Sequence, residues 1–180
     1  MNIVAICGSP RNGNTEFTLK RILTKASELG ASTELVLLRE KRIEFCDGCL
    51  SCESSGKCKT RDDMQIIYPR LENADLIIFG SPNYFSNMTG MMKNFVDRMN
   101  PYYTNKALNE KKMVVAVIGE TNNSNSVGKV INSFEAITNS FKMSFVGDLF
   151  LSAKGSQDVE NSPDDIKKID EFAEGLIGND

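Results

Sequence analysis

Four cysteines, Cys46, Cys49, Cys52 and Cys58, fall within thirteen residues in the pattern C-x2-C-x2-C-x5-C. Thiolates that close in sequence can wrap one small metal centre. The opening matches [4Fe–4S] ligand runs that continue x3-C-P. Here the last gap is longer and Lys59 stands in place of the proline, so all four could ligate a single cluster. Zinc competes for such a site, although structural zinc usually draws on two separated knuckles. A redox disulfide or a set of free thiols are the other readings. The fifth cysteine, Cys7, lies in an apolar run and reads as core. The chain has no histidine. That excludes Ser-His-Asp or Cys-His catalysis of the usual kind, and His-ligated zinc or haem. Chemistry here needs other side chains or a cofactor.

A second constellation is GSPRNGNT, Gly8 to Thr15, which follows an apolar run and opens a helical pattern. A Gly- and hydroxyl-rich loop at that place presents backbone N–H groups to an anion. Ser9, Asn14 and Thr15 add side-chain donors, and Arg11 adds a fixed positive charge. The spacing nearly matches the triphosphate loop G-x-x-x-x-G-K-[ST], but Asn14 stands where lysine should be. The third strand also ends on Gly80, with no Asp for Mg²⁺. GxGxxG is absent from the turn. A single terminal phosphate, as on FMN, fits best. The competing reading is a loop whose Ser and Thr only cap the helix.

Two further segments stand at the ends of apolar runs. In GSPNYF, Gly80 to Phe85, Pro82 stiffens the turn, Tyr84 and Phe85 can lie along a flat ring, and the backbone around Asn83 can bond the ring's polar edge. GETNN, Gly119 to Asn123, brings Gly119, Glu120 and Thr121 to the same edge. Met88, Met91 and Met92 could form an adaptable wall or a subunit contact, with plain core packing expected for at least one.

The elements that must position these residues alternate strand and helix. Strands are expected at 2–7, 33–38, 75–80, 112–119 and 145–152. Helices are expected at 15–29, from Asp62 and Asp63 to about 73 with a kink or split at Pro69, at 90–99, 128–142 and 163–177. Residues 43–60 lack periodicity and read as a loop or small insert, and Thr121–Ser126 as a ligand loop or mobile loop. The rhythm predicts one α/β domain spanning residues 1–180: a three-layer sandwich around a parallel five-stranded sheet of flavodoxin order 2-1-3-4-5. Ligands then bind outside the carboxyl ends of the strands, at the β1/β3 switch point. With 41% hydrophobic and 25% charged residues, the 180-residue chain has the composition of a soluble globular protein. Its net charge of −3 argues against nucleic-acid or anionic-membrane binding. No apolar run spans a membrane. The start, MNIVAICGSP, lacks a signal peptide's basic region, so a cytoplasmic location is expected, where structural disulfides are rare.

Taken together, GSPRNGNT, CDGCLSCESSGKC followed by DDM, and GSPNYF followed by MKNFVDR resemble the NAD(P)H-dependent FMN reductase superfamily. More narrowly, they resemble the iron–sulfur flavoproteins, over Met1 to about Gly119. The resemblance implies a flavodoxin-like fold, FMN near a subunit interface, and homodimers often paired into tetramers. It implies that Ser9, Arg11, Asn14 and Thr15 hold the FMN phosphate, that Pro82, Asn83, Tyr84 and Phe85 line the isoalloxazine, and that Cys46, Cys49, Cys52 and Cys58 ligate a [4Fe–4S] cluster. The expected activity is an oxidoreductase or electron-transfer flavoprotein. Electrons come from NAD(P)H or a redox-protein donor and go to a flavin, quinone or similar small acceptor. A flavodoxin-type carrier without turnover, and a redox- or metal-sensing protein using the Cys loop, are the alternatives.

Overall fold

The computed structural model describes residues 1–120 and 124–178. Among these, the strands are β1 (Asn2–Cys7), β2 (Ser32–Leu37), β3 (Leu76–Pro82), β4 (Lys112–Ile118) and β5 (Ser144–Leu151). All pair in parallel, in the expected order β2-β1-β3-β4-β5. The helices are α1 (Asn14–Glu28), α2 (Ser51–Ser55), α3 (Met64–Asn73), α4 (Gly90–Asp97), α5 (Pro101–Asn105), α6 (Ser124–Ser140) and α7 (Pro163–Ile177). None is long and apolar enough to cross a membrane.

The three central strands are covered on both faces, which is why they read as unbroken apolar runs. Their side chains still divide by parity. Val4, Ile6, Phe79, Val115 and Val117 point into a core closed by α3, α4 and α6. Ile3, Ala5, Cys7, Ile78, Val114 and Ala116 point into a second core closed by α1 and α7. Phe79 stacks on Phe134 with centroids 5.6 Å apart and tilts against Phe95 at 6.3 Å, fixing β3 between α6 and α4. Met88 and Met92 are buried in the first core and Met91 packs against it, so plain core packing accounts for these methionines.

The turn after β1 depends on two close approaches. Gly8 N–H donates to the Gly80 carbonyl at 2.8 Å. A Cβ on Gly8 would lie 2.8 Å from Met92 Cβ, and one on Gly80 would lie 2.6 Å from Leu19 Cδ1. Thr89, the N-cap of α4, completes the joint. Its hydroxyl accepts from Met92 N–H at 3.1 Å and donates to the Gly8 carbonyl at 2.7 Å. The start of α4 is thereby bolted to the loop that opens α1.

Several boundaries differ from expectation, each for a local reason. β3 continues two residues past Gly80, pairing Ser81 and Pro82 with Val117 and Ile118. Asn83 N–H points to β4, bonding the Ile118 carbonyl at 2.8 Å. By alternation, the missing N–H of Pro82 faces β1, which has already ended at Cys7. α3 runs through Pro69 as one helix, unsplit. The predicted 90–99 helix ends at Asp97, and α5 begins separately at Pro101. α6 begins at Ser124, four residues before the expected Gly128, so part of the polar tract 121–126 is helical.

Candidate functional site

At the carboxyl edge of the sheet lies an open cleft of about 160 Å³. Ser9, Arg11, Asn14 and Thr15 line it from the β1–α1 turn, Pro82, Asn83 and Tyr84 from the end of β3, and Gly119 and Glu120 from the end of β4. These are residues that sequence pattern singled out on three separate loops. Thr121 lies outside the described residues. Phe85 is not brought into the cleft. Tyr84 and Asn87 exchange backbone hydrogen bonds at 2.9 and 3.0 Å across a two-residue turn. Phe85 (φ 52°) and Ser86 (φ 63°) form its tip, which leaves the Phe85 ring fully exposed. Three lining residues were not foreseen: Ile118, Ala153 and Lys154. Ala153 and Lys154 follow β5, a fourth strand end at the same edge. The signal available was that shared edge, together with a single cation in AKGS.

The polar atoms of the turn show what remains for a ligand. Ser9 Oγ donates to the Arg11 carbonyl at 2.8 Å and accepts from Arg11 N–H at 3.3 Å, so this hydroxyl shapes the loop. Asn14 donates from Nδ2 to the Gly155 carbonyl at 2.6 Å and accepts from Val159 N–H at 3.2 Å. Its amide staples the first turn of α1 to the segment after β5. Asp158 orders that segment by accepting from Lys154 and Gly155 N–H at 2.8 and 2.7 Å, bonds that hold its carboxyl below the usual range. Gly13 is the N-cap of α1 and no side chain caps the helix. The reading in which Ser and Thr merely cap it therefore does not describe this turn. Its first-turn N–H groups, the Thr15 side chain and the Arg11 and Lys154 cations make an electropositive end to the cleft. Among the described residues, Lys154 pairs loosely with Glu120 at 3.6 Å, and both are largely exposed.

Glu16 stands next to this anion-favouring turn and is buried. Burial opposes its ionisation, but ion pairs with Lys20 at 2.7 Å and Arg39 at 2.6 Å outweigh that and keep the carboxyl below its ordinary range. Cys7 is wholly buried, and burial pushes its thiol up to about 11, as expected of a core cysteine.

A second pocket is lined by all four clustered cysteines together with Asp97, Arg98, Asn100 and Pro101. Cys46 and Cys49 are exposed, Cys58 is half-buried and Cys52 is buried. Gly48 (φ 66°) and Leu50 (φ 58°) bend the exposed limb back toward α2. Among the described residues, no three Cys, Asp or Glu side chains already sit as a metal ligand set. The thiols therefore share a pocket without converging.

The segment is held by a buried ion pair that sequence reasoning missed. Arg98 and Asp62 side chains are each 1% exposed. Arg98 reaches Asp62 Oδ2 at 2.5 Å and Oδ1 at 3.3 Å, the Glu44 carbonyl at 2.7 Å and Cys58 Sγ at 3.5 Å. Asp62 also accepts N–H bonds from Glu44 at 2.9 Å and Met64 at 3.0 Å. Burial opposes its charge, but these donors win and keep it ionised. Asp63 and Asn94 grip the backbone of Arg42 and Ile43. Burial likewise opposes ionisation of Cys58, and bonds from Thr60 and Arg98 overcome it, lowering the thiol.

Comparisons with known proteins bear on the family and the fold. The family model for NADPH-dependent FMN reductase matches residues 1–157. An iron–sulfur flavoprotein of Methanocaldococcus jannaschii is 33% identical, over 94% of this chain and 89% of that one. Another, from Archaeoglobus fulgidus, is 41% identical over 57% of this chain and 47% of its own length, so about half of that relative is spanned. Among solved structures, the NAD(P)H:quinone oxidoreductase from Methanothermobacter marburgensis superposes with a TM-score of 0.73 at 18% identity, covering 98% of this chain and 96% of that one. Oxidised flavodoxin 1 from Bacillus cereus gives 0.67 at 15% identity, covering 99% of each. At those identities the likeness shows the fold. With a family model matched over most of its length, the chain belongs to the NADPH-dependent FMN reductase family of oxidoreductases.

Proposed function

We propose that this protein binds FMN in the switch-point cleft and moves electrons from NAD(P)H or a redox-protein donor to a flavin, quinone or similar small acceptor. The observation that carries this is the convergence of four strand ends on one cleft whose α1 end is electropositive and uncapped. That donor set fits a phosphate monoester. It does not fit a triphosphate, because Asn14 replaces the lysine and its amide is already engaged. The first-turn N–H groups, Thr15, Arg11 and Lys154 bind the phosphate. Pro82, Asn83 and Tyr84 set the plane of the ring. Gly119 allows close packing at the third wall, since a Cβ there would sit 3.0 Å from Asn83 Cβ. Thr121 belongs to the same proposed wall. When bound, the flavin supplies the hydride- and electron-accepting chemistry, and no catalytic side chain is required.

We extend the proposal to a [4Fe–4S] cluster on Cys46, Cys49, Cys52 and Cys58, making this an iron–sulfur flavoprotein. The support is the chemistry of the donor set: four thiols on one pocket, with a buried Arg98 and an Asn100 amide among them. The thiols must draw together around the cluster, and Cys46 and Cys49 are the two that are exposed. The protein is proposed to work in the cytoplasm as a homodimer or dimer of dimers.

The test is anaerobic purification followed by measurement of FMN, iron and acid-labile sulfide, then NAD(P)H oxidation with quinone or flavin acceptors. Stoichiometric FMN with roughly four iron and four sulfide per chain is expected. FMN without iron removes the cluster and leaves a two-electron reductase. Absence of FMN, with no binding on addition, removes the reading altogether.

A further inference from the structure

Two polar side chains in the cysteine pocket aim N–H groups at sulfur. Asn100 Nδ2 lies 3.1 Å from Cys52 Sγ, and Arg98 Nη2 lies 3.5 Å from Cys58 Sγ. Both donors come from the short link between α4 and α5, outside the cysteine segment itself. Asn100 is the more telling of the two. It occupies the N-cap of α5, where an asparagine ordinarily turns its oxygen to a first-turn N–H. Here no side-chain cap is made, and the amide nitrogen goes to the sulfur instead. Pro101 follows at the first helical position, where the absent N–H is not one that an N-cap side chain serves.

We propose that Asn100 and Arg98 are positioning residues that raise the reduction potential of the centre held by the four thiolates, with Asn100 acting through Cys52 and Arg98 through Cys58. This rests on the cluster reading above and goes beyond it. Reduction adds one negative charge to a cluster, and part of that charge resides on the ligand sulfurs. An N–H aimed at a ligand sulfur favours the more negative state, so it raises the potential. The guanidinium charge of Arg98 is neutralised by Asp62, so Arg98 acts on Cys58 mainly as an N–H dipole. Asn100 carries no charge and has no such counterpart, so its removal isolates the effect.

The experiment uses anaerobically purified holoprotein of the wild type, Asn100→Leu and Asn100→Asp. Leu removes the donor at similar volume. Asp keeps the shape and presents a negative acceptor to the sulfur. Cluster and flavin midpoints are read together by redox titration, following low-temperature electron paramagnetic resonance and visible absorbance. The expected order of cluster midpoints is wild type, then Asn100→Leu, then Asn100→Asp. Each step should be about a tenfold change in the reduction equilibrium, which is 59 mV for one electron. The flavin midpoint, read in the same samples, should stay fixed.

Equal or reversed cluster midpoints in fully loaded variants overturn the proposal and leave the cluster reading standing. Loss of iron from the variants alone also overturns it, because Asn100 then serves assembly and not tuning. A wild type that carries FMN but no iron overturns the cluster reading and this proposal with it.

Discussion

Replacing Arg98 by methionine is the sharpest test of how the cysteine segment is held. The substitution keeps side-chain bulk and removes the guanidinium from a site where both it and Asp62 are 1% exposed. Breaking one side of a buried pair costs about 3–5 kcal/mol, because the other charge is left without a partner. Asp62 keeps its N–H bonds from Glu44 and Met64, which places the expected cost at the lower end, about 3 kcal/mol. For a chain of this size that lowers Tm by about 6–12 °C. Asp62→Leu alone should cost at least as much, since it strands the cation and two N–H groups together. The double variant Arg98→Met/Asp62→Leu should cost far less than the sum, about 2 kcal/mol, which corresponds to the backbone groups of Glu44 and Met64 left unpaired. Urea unfolding of the cofactor-free protein, followed by far-ultraviolet circular dichroism, gives all four corners of this cycle. Additive costs, or a single-variant loss below about 1 kcal/mol, would refute a tightly coupled buried pair.

Two further outcomes follow from contacts around the cleft. Gly8→Ala would place a Cβ 2.8 Å from Met92 Cβ and 3.3 Å from Thr89 Oγ1, so it should destabilise by about 1–3 kcal/mol through overpacking and weaken FMN binding measured by fluorescence titration. Unchanged affinity and Tm would show that the turn is not clamped against α4. For Glu16→Gln, the folded carboxyl of the wild type lies below its unfolded value of 4.5. The unfolded chain therefore binds the proton first, and the stabilisation is complete above about that pH and lost as pH falls through the folded value. Urea midpoints of wild type and variant should differ by a constant amount at neutral pH and converge below pH 4.5, and a gap that persists under acid would refute the linkage.

Much of this molecule is legible in its sequence because its central strands are buried on both faces. NIVAIC, DLIIFG and KMVVAVIG admit few other readings, and their ends had to fall at one sheet edge. The rest was hidden for definite reasons. Asp62 and Arg98 lie 36 residues apart, and each type is ordinarily a surface residue, so nothing local announces that they meet. The tip at Phe85 and Ser86 adopts a left-handed turn that Asn-Gly usually signals, and Phe-Ser carries no such signal. Lys154 escaped because its segment has neither the glycine nor the hydroxyl density of the first loop. The type of Asn14 suggests a ligand donor; it does line the cleft, and what its type alone does not announce is that its amide joins two loops across 141 residues of chain.

The cysteine segment also bears on how such a protein can change over generations. Residues 44–50 contribute exposed surface, and the segment is tied down by a few polar grips from Asp62, Asp63, Asn94 and Arg98. β1 meets β2 and β3 in full register without its help. A descendant could therefore shorten this connection and discard the thiols at little cost to the two cores, keeping the cleft intact. The reverse exchange, grafting the segment onto a relative that lacks it, needs the buried Asp–Arg pair more than it needs any change in the sheet.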